Sequence, residues 1–217
     1  MDIYGLLLLI GAYLLGSIPF GYIVVKKMKG IDIRTTGSKV IGATNVERQL
    51  GKWWGRIVLL LDVLKGFFIA ALALIFFKHE PWVTAFAFSF VVLGHVFPVF
   101  LNFRGGKGVA TFLGALLPLV IFCLGEFPHF WTYGGLLGVI VAWLIVHKSR
   151  KIMGLSSLFL MALLIVYFGV LTLLTSFSLY YSHLTFFIAA LALFIIYNHR
   201  ENWRTLQKGQ GSQTNLI

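Results

Sequence analysis

Residues 102–111, NFRGGKGVAT, set three glycines around one lysine, and an apolar run begins directly after them. Residues of these types can hold a phosphate-like anion. Gly105, Gly106 and Gly108 let the backbone approach closely, and Lys107 supplies a full positive charge. A helix starting near residue 109 would turn its free N–H groups and positive dipole end toward the same point. Thr111 adds a hydroxyl one turn in. The stretch is not a nucleotide-binding P-loop, which has Gly five positions before the Gly-Lys pair and Ser or Thr after it. Leu101 and Gly108 occupy those positions. A plain basic turn between helices is the competing reading.

Three further stretches carry polar chemistry. GSKVIGATNVERQLGK at 37–52 offers the hydroxyls of Ser38 and Thr44, the amide of Asn45 and the planar fork of Arg48, which suits phosphate oxygens. Thr44 and Asn45 could equally cap a helix. In HRENWRTL at 199–206, His199 and Asn202 share a face of a continuing helix. A histidine titrating near neutrality is a natural proton acceptor, and a basic belt anchoring the helix at the interface is the alternative. In GLSSL at 154–158, Ser156 and Ser157 stand where a helix N-cap would, and no base is paired with either. His95 reads as structural or functional with equal ease. Asp62 and Lys65, three residues apart inside an apolar run, are expected to pair with each other or with the bundle interior, because charge exposed to lipid is costly.

The composition says where these groups must work. The chain of 217 residues is 59% hydrophobic and 12% charged, with a mean hydropathy of +0.91. A soluble domain is roughly a quarter charged, so this is an integral membrane protein, read as one domain over 1–217 with a short tail at 199–217. The net charge of +11 follows from basic loops beside anionic headgroups and does not point to nucleic acid. One cysteine, Cys123, excludes an intramolecular disulfide and a cysteine metal cage. The seven Asp and Glu are scattered, so no metal site or cofactor is expected.

Apolar runs place seven transmembrane helices near 3–25, 57–77, 82–101, 109–124, 132–147, 155–175 and 184–198, an all-α bundle. The first carries no cleavage-site pattern and reads as a retained helix rather than a signal peptide. The loops at 26–56, 102–108, 148–154 and 199–217 hold 8, 2, 3 and 3 Lys/Arg, 16 of the 18 in the chain. The positive-inside rule puts that set in the cytoplasm, the N-terminus outside and the C-terminus inside. Nearly every polar stretch named above then falls in the cytoplasmic set, so a site would be built there from separate segments.

Taken together, GSIPFGY at 16–22, GSKVIGATNVERQLG at 37–51, LDVLKG at 61–66, GHVFPVFLNFRGGKGVAT at 94–111 and HRENWRTL at 199–206 resemble one family. In order and spacing they are similar to the bacterial glycerol-3-phosphate acyltransferases that use acyl phosphate, the PlsY family. The resemblance runs from about residue 10 to residue 209. It implies a seven-helix enzyme of the bacterial cytoplasmic membrane with its site at the cytoplasmic face. It further implies transfer of a long fatty acyl chain from acyl phosphate to the 1-hydroxyl of glycerol 3-phosphate, giving lysophosphatidic acid and inorganic phosphate. It implies no metal, no use of acyl-CoA, and a soluble partner enzyme that makes the acyl phosphate. Other glycerol-phosphate acyltransferases carry His-x-x-x-x-Asp, and none of the six histidines here has Asp at that spacing.

Carried over by position, the resemblance gives Ser38, Thr44, Asn45 and Arg48 to a first phosphate-contacting loop. Gly105, Gly106, Lys107 and Gly108 go to a second, with Thr111 beside them. His199 and Asn202 would stand near the reacting hydroxyl, and Ser157 would complete the pocket. The base would be His199 or the donor's own phosphate. The chain departs from the family pattern at Lys39 and Val40, where Gly-Asn is usual, at Gly154, at Gln210 in place of a glutamate, and in a longer stretch at 122–131. A carrier for a phosphorylated metabolite is the rival class. Such proteins often show internal repeats and interrupted helices at mid-membrane, and neither is evident here.

Overall fold

The computed structural model describes residues 2–123, 134–150, 153–174 and 179–200. Those residues form helices, turns and loops without a strand. They group into two compact units, Met1–Phe122 and Cys123–Ile217.

The first unit opens with α1 (Ile3–Ser17), whose N-terminus is capped by the Asp2 carboxylate accepting from the Gly5 N–H at 2.8 Å. The apolar run predicts one helix over 3–25, but the chain breaks at Ile18 and Pro19 and resumes as α2 (Phe20–Lys29). Proline lacks an N–H and disfavours helical backbone in the residue before it, so Ile18 is extended. Lys26, Lys27 and Lys29 in the last turn of α2 complement its negative dipole end. After a short 3-10 turn at Ile33–Thr35 come α3 (Ala43–Leu50) and α4 (Lys52–Phe76). α5 (Pro81–Val96) begins on a proline, and α6 (Val109–Pro118) follows the glycine-lysine loop. The first pairings are α1 with α5 and α4 with α6. At the second crossing the backbones touch: a Cβ on Gly66 would strike the Thr111 carbonyl, and one on Gly114 would strike that of Val63. Small residues permit this close approach where lipid supplies no hydrophobic drive. Phe88 and Phe112 fill the neighbouring space edge to face, 5.3 Å apart.

In the second unit α8 (Met153–Leu174) packs on α7 (Gly135–Arg150) and on α9 (Leu179–Asn198). A Thr172–Thr185 hydroxyl pair, 2.6 Å apart, joins α8 to α9.

Four helical stretches are long and apolar enough to cross a bilayer: Ile3–Lys29, Lys52–Phe76, Pro81–Leu101 and Ser156–Leu173. Val109–Ile121 and His183–Asn198 are shorter apolar helices. Large apolar side chains such as Leu7, Leu60, Phe68, Ile75 and Leu173 stand exposed on their outer faces, as lipid-facing side chains do.

Beside the spans of the first unit lies a second, smaller core. Val25, Ile33, Ile41, Val46, Val58 and Leu101 are buried together, with Tyr22, Leu50 and Trp54 packed around them. These residues come from α2, the 30–42 loop, α3, α4 and the turn before the glycine-lysine loop. The core therefore holds both polar loops of this unit at one end.

Candidate active site

The first loop is built around Asn45. Its side chain is fully buried, and its amide nitrogen lies within hydrogen-bonding distance of the carbonyls of Ile33, Thr36 and Val40 at 3.2, 3.1 and 2.9 Å. Its Oδ1 accepts from the Ser38 N–H at 3.2 Å. Asn45 thus ties the loop together with its whole polar end. Gly37 lies so close to that oxygen that a Cβ there would collide with it, and its φ of +57° suits glycine. With the loop pinned beneath, Ser38, Thr44 and Arg48 are left exposed on its outer side. Thr44 and Arg48 are one turn apart on α3 and share a face. Gly42, not Thr44 or Asn45, is the N-cap of α3.

Arg34 fastens this loop to the next one. It forms a bidentate pair with Asp32, closest at 2.7 Å, and donates from Nη1 to the Leu101 carbonyl at 3.0 Å. Its hydrogen bonds to Asp32 hold that carboxyl below its ordinary pKa. The guanidinium also sits over the Tyr22 ring.

The second loop turns sharply, with Asn102 and Phe103 both in the left-handed region. Gly105 and Gly106 then donate their N–H groups to the carbonyls of Val96 and His95, each at 3.1 Å, and so close the end of α5. These two N–H groups are already used within the protein. The donors left for an anion are those of the first turn of α6, whose N-cap is Gly108 with no side-chain cap. Thr111 stands in that turn, fully buried, and its hydroxyl has no hydrogen-bond partner among the described residues. Lys107 is partly buried between the glycines and this helix start.

Beneath the loop lies a charge cluster that the sequence reading supplies only in part. Asp62 and Lys65 do pair, at 2.8 Å, and both are buried. His95 joins them, with its Nδ1 2.8 Å from the Lys65 ammonium and 3.4 Å from Asp62 Oδ1. The Lys65–Asp62 contact is close but not aligned as a hydrogen bond: Lys65 instead donates toward Ile18 O at 3.3 Å and His95 Nδ1. At the break before Pro19 the Ile18 carbonyl also accepts from the Phe20 N–H, at 3.2 Å.

Two other predicted residues stand in the second unit. Ser157 is half-buried near the start of α8, one residue beyond the buried Ser156. His199 is buried just past α9, with Nδ1 2.8 Å from the Ile195 carbonyl. A carbonyl can only accept, so the ring hydrogen sits on Nδ1 and Nε2 is the basic nitrogen. Asn202 and Gln210 lie outside the described residues, as does most of 122–131.

From residue 6 to residue 209 the chain matches the family described as Glycerol-3-phosphate acyltransferase. It belongs to that family. A glycerol-3-phosphate acyltransferase of Aquifex aeolicus (strain VF5) is 38% identical over 205 residues, spanning 94% of this chain and 96% of that one. The enzyme of the same description from Bacillus subtilis (strain 168) is 40% identical over 199 residues, 90% of each chain. The chain is also similar to a crystal structure of PlsY (YgiH), an integral membrane glycerol 3-phosphate acyltransferase, in its glycerol 3-phosphate form. That likeness has a TM-score of 0.78 at 36% identity over 96% of this chain and 94% of that one. The lysophosphatidic acid form of the same enzyme gives 0.73. This member of the family is a membrane acyltransferase, helical and without strands among the described residues, and the loops described here are its candidate phosphate-handling parts.

Proposed function

We propose that this acyltransferase moves a long fatty acyl group from acyl phosphate to the 1-hydroxyl of sn-glycerol 3-phosphate. The products are lysophosphatidic acid and inorganic phosphate, in the first acylation of bacterial phospholipid synthesis. One observation carries the reading: two polar loops rest on one small core and are tied together by Arg34. The loops that carry Arg48 and Lys107 thus share one support, and this reading has both cations serve one site. A reaction between two phosphate-bearing substrates needs two cations to offset their repulsion, and it needs them in one place.

In the reaction the bond from the acyl carbon to the phosphate oxygen breaks, and an ester bond to the glycerol oxygen forms. Phosphate leaves with the bonding pair. The hydroxyl proton passes to His199 Nε2 or to the donor's phosphate. No acyl-enzyme is needed, because acyl phosphate already carries a good leaving group. In this reading Ser38, Thr44 and Arg48 contact phosphate oxygens, and Asn45 holds their loop in shape. Gly105, Gly106 and Gly108 shape the second cradle, where Lys107, Thr111 and the start of α6 meet an anion. Ser157, His199 and Asn202 take their roles near the glycerol hydroxyl from the family resemblance.

The same reading makes 1–217 one functional domain of seven spans in the bacterial inner membrane. The N-terminus lies outside, and the site opens to the cytoplasm, where a soluble enzyme supplies acyl phosphate. The test is product formation by the purified protein in lipid, without added divalent metal. Glycerol 3-phosphate is supplied with palmitoyl phosphate, palmitoyl-CoA or palmitoyl carrier protein. Lysophosphatidic acid is expected from the acyl phosphate alone, and Lys107→Ala is expected to reduce it by about a hundredfold or more. Product from another donor, or full activity in Lys107→Ala, overturns the donor or the cradle respectively.

A further inference from the structure

Burying Asp62, Lys65 and His95 together in a membrane bundle is costly. A simple ion pair does not account for the third member. Nor does it account for where the cluster stands: His95 turns Nδ1 to Lys65 and Asp62, and its carbonyl and Nε2 edge to the glycine-lysine loop. Its carbonyl accepts the Gly106 N–H at 3.1 Å. Its ring lies against Gly106, where a Cβ would strike Nε2 and come within 3.0 Å of the neighbouring ring carbons. Gly105 is held in the same way against the His95 carbonyl and Pro98.

We propose that His95 is a positioning residue for the glycine-lysine loop, with Lys65 and Asp62 setting its tautomer and pose. An ammonium group only donates, so Lys65 at 2.8 Å makes Nδ1 the acceptor and leaves the ring hydrogen on Nε2, the atom beside Gly106. Lys65 is itself fixed from three sides. Asp62 lies at 2.8 Å, the Ile18 carbonyl at 3.3 Å, and the Phe20 ring lies 5.6 Å from its nitrogen. The chain of contacts therefore runs from the break at Pro19, through α4 and α5, into the loop. Residues 107–111 follow directly, so a shift of Gly106 carries Lys107 and the first turn of α6 with it.

The inference rests on the acyltransferase reading, because turnover reports it. His95→Leu removes both ring nitrogens and leaves an apolar side chain of comparable bulk. It is expected to raise KM for glycerol 3-phosphate or for acyl phosphate by about tenfold or more, with the melting temperature in lipid little changed. His95→Gln offers an amide N–H near the place of Nε2–H and is expected to recover most of that loss. Wild-type KM for both substrates in His95→Leu, or equal impairment in His95→Gln, overturns the proposal. If His95→Leu does not fold, the charge-neutral pair Asp62→Asn with Lys65→Met takes its place. A raised KM in that pair supports the proposal, and an unchanged KM overturns it. Failure of both to fold overturns it too, since the cluster would then be supporting the helices rather than the loop. Absence of lysophosphatidic acid from the wild type sinks the acyltransferase reading and this inference with it. Product from the wild type with unaltered variants sinks this inference alone.

Discussion

Asn45 shows how far a residue type can be read. In the sequence it is one amide among several polar groups that could meet a phosphate, and type alone cannot tell a ligand from a brace. The fold decides the matter by burying it with four backbone partners, leaving Ser38, Thr44 and Arg48 outward. Asp32 and Arg34 carry no such signal, since an acidic and a basic residue two apart in a loop look like solvated surface. Their pairing links the two loops and has a pH signature. Arg34 holds the Asp32 pKa below its ordinary value, so the stabilisation is fully present above the unfolded carboxyl pKa of about 4. It is lost as pH falls through the lower, folded value. The pair is partly exposed, so salt will weaken it. Melting profiles between about pH 3 and 7 should therefore show an acid limb below about pH 4 that is smaller in Asp32→Asn. An identical acid limb in the variant would refute the assignment.

At the scale of elements, the apolar runs gave the helices well, because about twenty apolar residues in lipid have few options besides helix. Four described stretches, Ile3–Lys29, Lys52–Phe76, Pro81–Leu101 and Ser156–Leu173, are long and apolar enough to span, and they fall on the first, second, third and sixth expected segments. Two features were hidden. A hydropathy window passes over a single proline, so the break between α1 and α2 leaves no mark in it. The two turns of α3 are too short and too polar to show as a run, and Gly42 gives no capping side chain to announce them. The break carries chemistry, since it turns toward Lys65 a carbonyl that has no i+4 helical donor. Pro19→Ala should let the helix run on and draw that carbonyl into an ordinary helical bond. Pro19 stands outside both helices, as the N-cap of α2, so its loss breaks no helical bond and the variant is expected to melt close to wild type. Its turnover should nevertheless fall by about fivefold to tenfold. Parallel loss of stability and activity would show that the break only serves packing.

For the whole molecule, the distribution of 16 of 18 Lys/Arg over one set of loops makes a definite claim about orientation. The lone Cys123 makes that claim easy to test. In a Cys123→Ser background, Asp2→Cys is expected to react with an impermeant maleimide on intact cells. Ser212→Cys is expected to react only after the membrane is opened. The opposite pattern would turn the proposed site to the outside and exclude a cytoplasmic acyl donor. An expectation about orientation is legible in the sequence because it depends only on sums over loops. The meeting of the 30–50 and 102–111 segments could not be read that way. It depends on Ile33, Ile41, Val46 and Leu101 recognising one another across more than fifty residues of chain, and the local pattern of each is unremarkable.

That small core sets this enzyme apart from its own bundle in how it should come undone. The helices in lipid are held by backbone bonds inside each span and by close packing, which urea in the surrounding water barely reaches. Ile33, Ile41 and Val46 belong to segments outside the spans, and their burial is driven by water, which urea weakens. Rising urea is therefore expected to silence the enzyme while its helical signal is still intact, with the two transitions well separated. Coincident transitions would mean that the floor beneath the loops is part of the bundle after all. On the expected outcome, the acyltransferase is a water-soluble lock built onto a lipid-soluble frame, and each part answers to its own solvent.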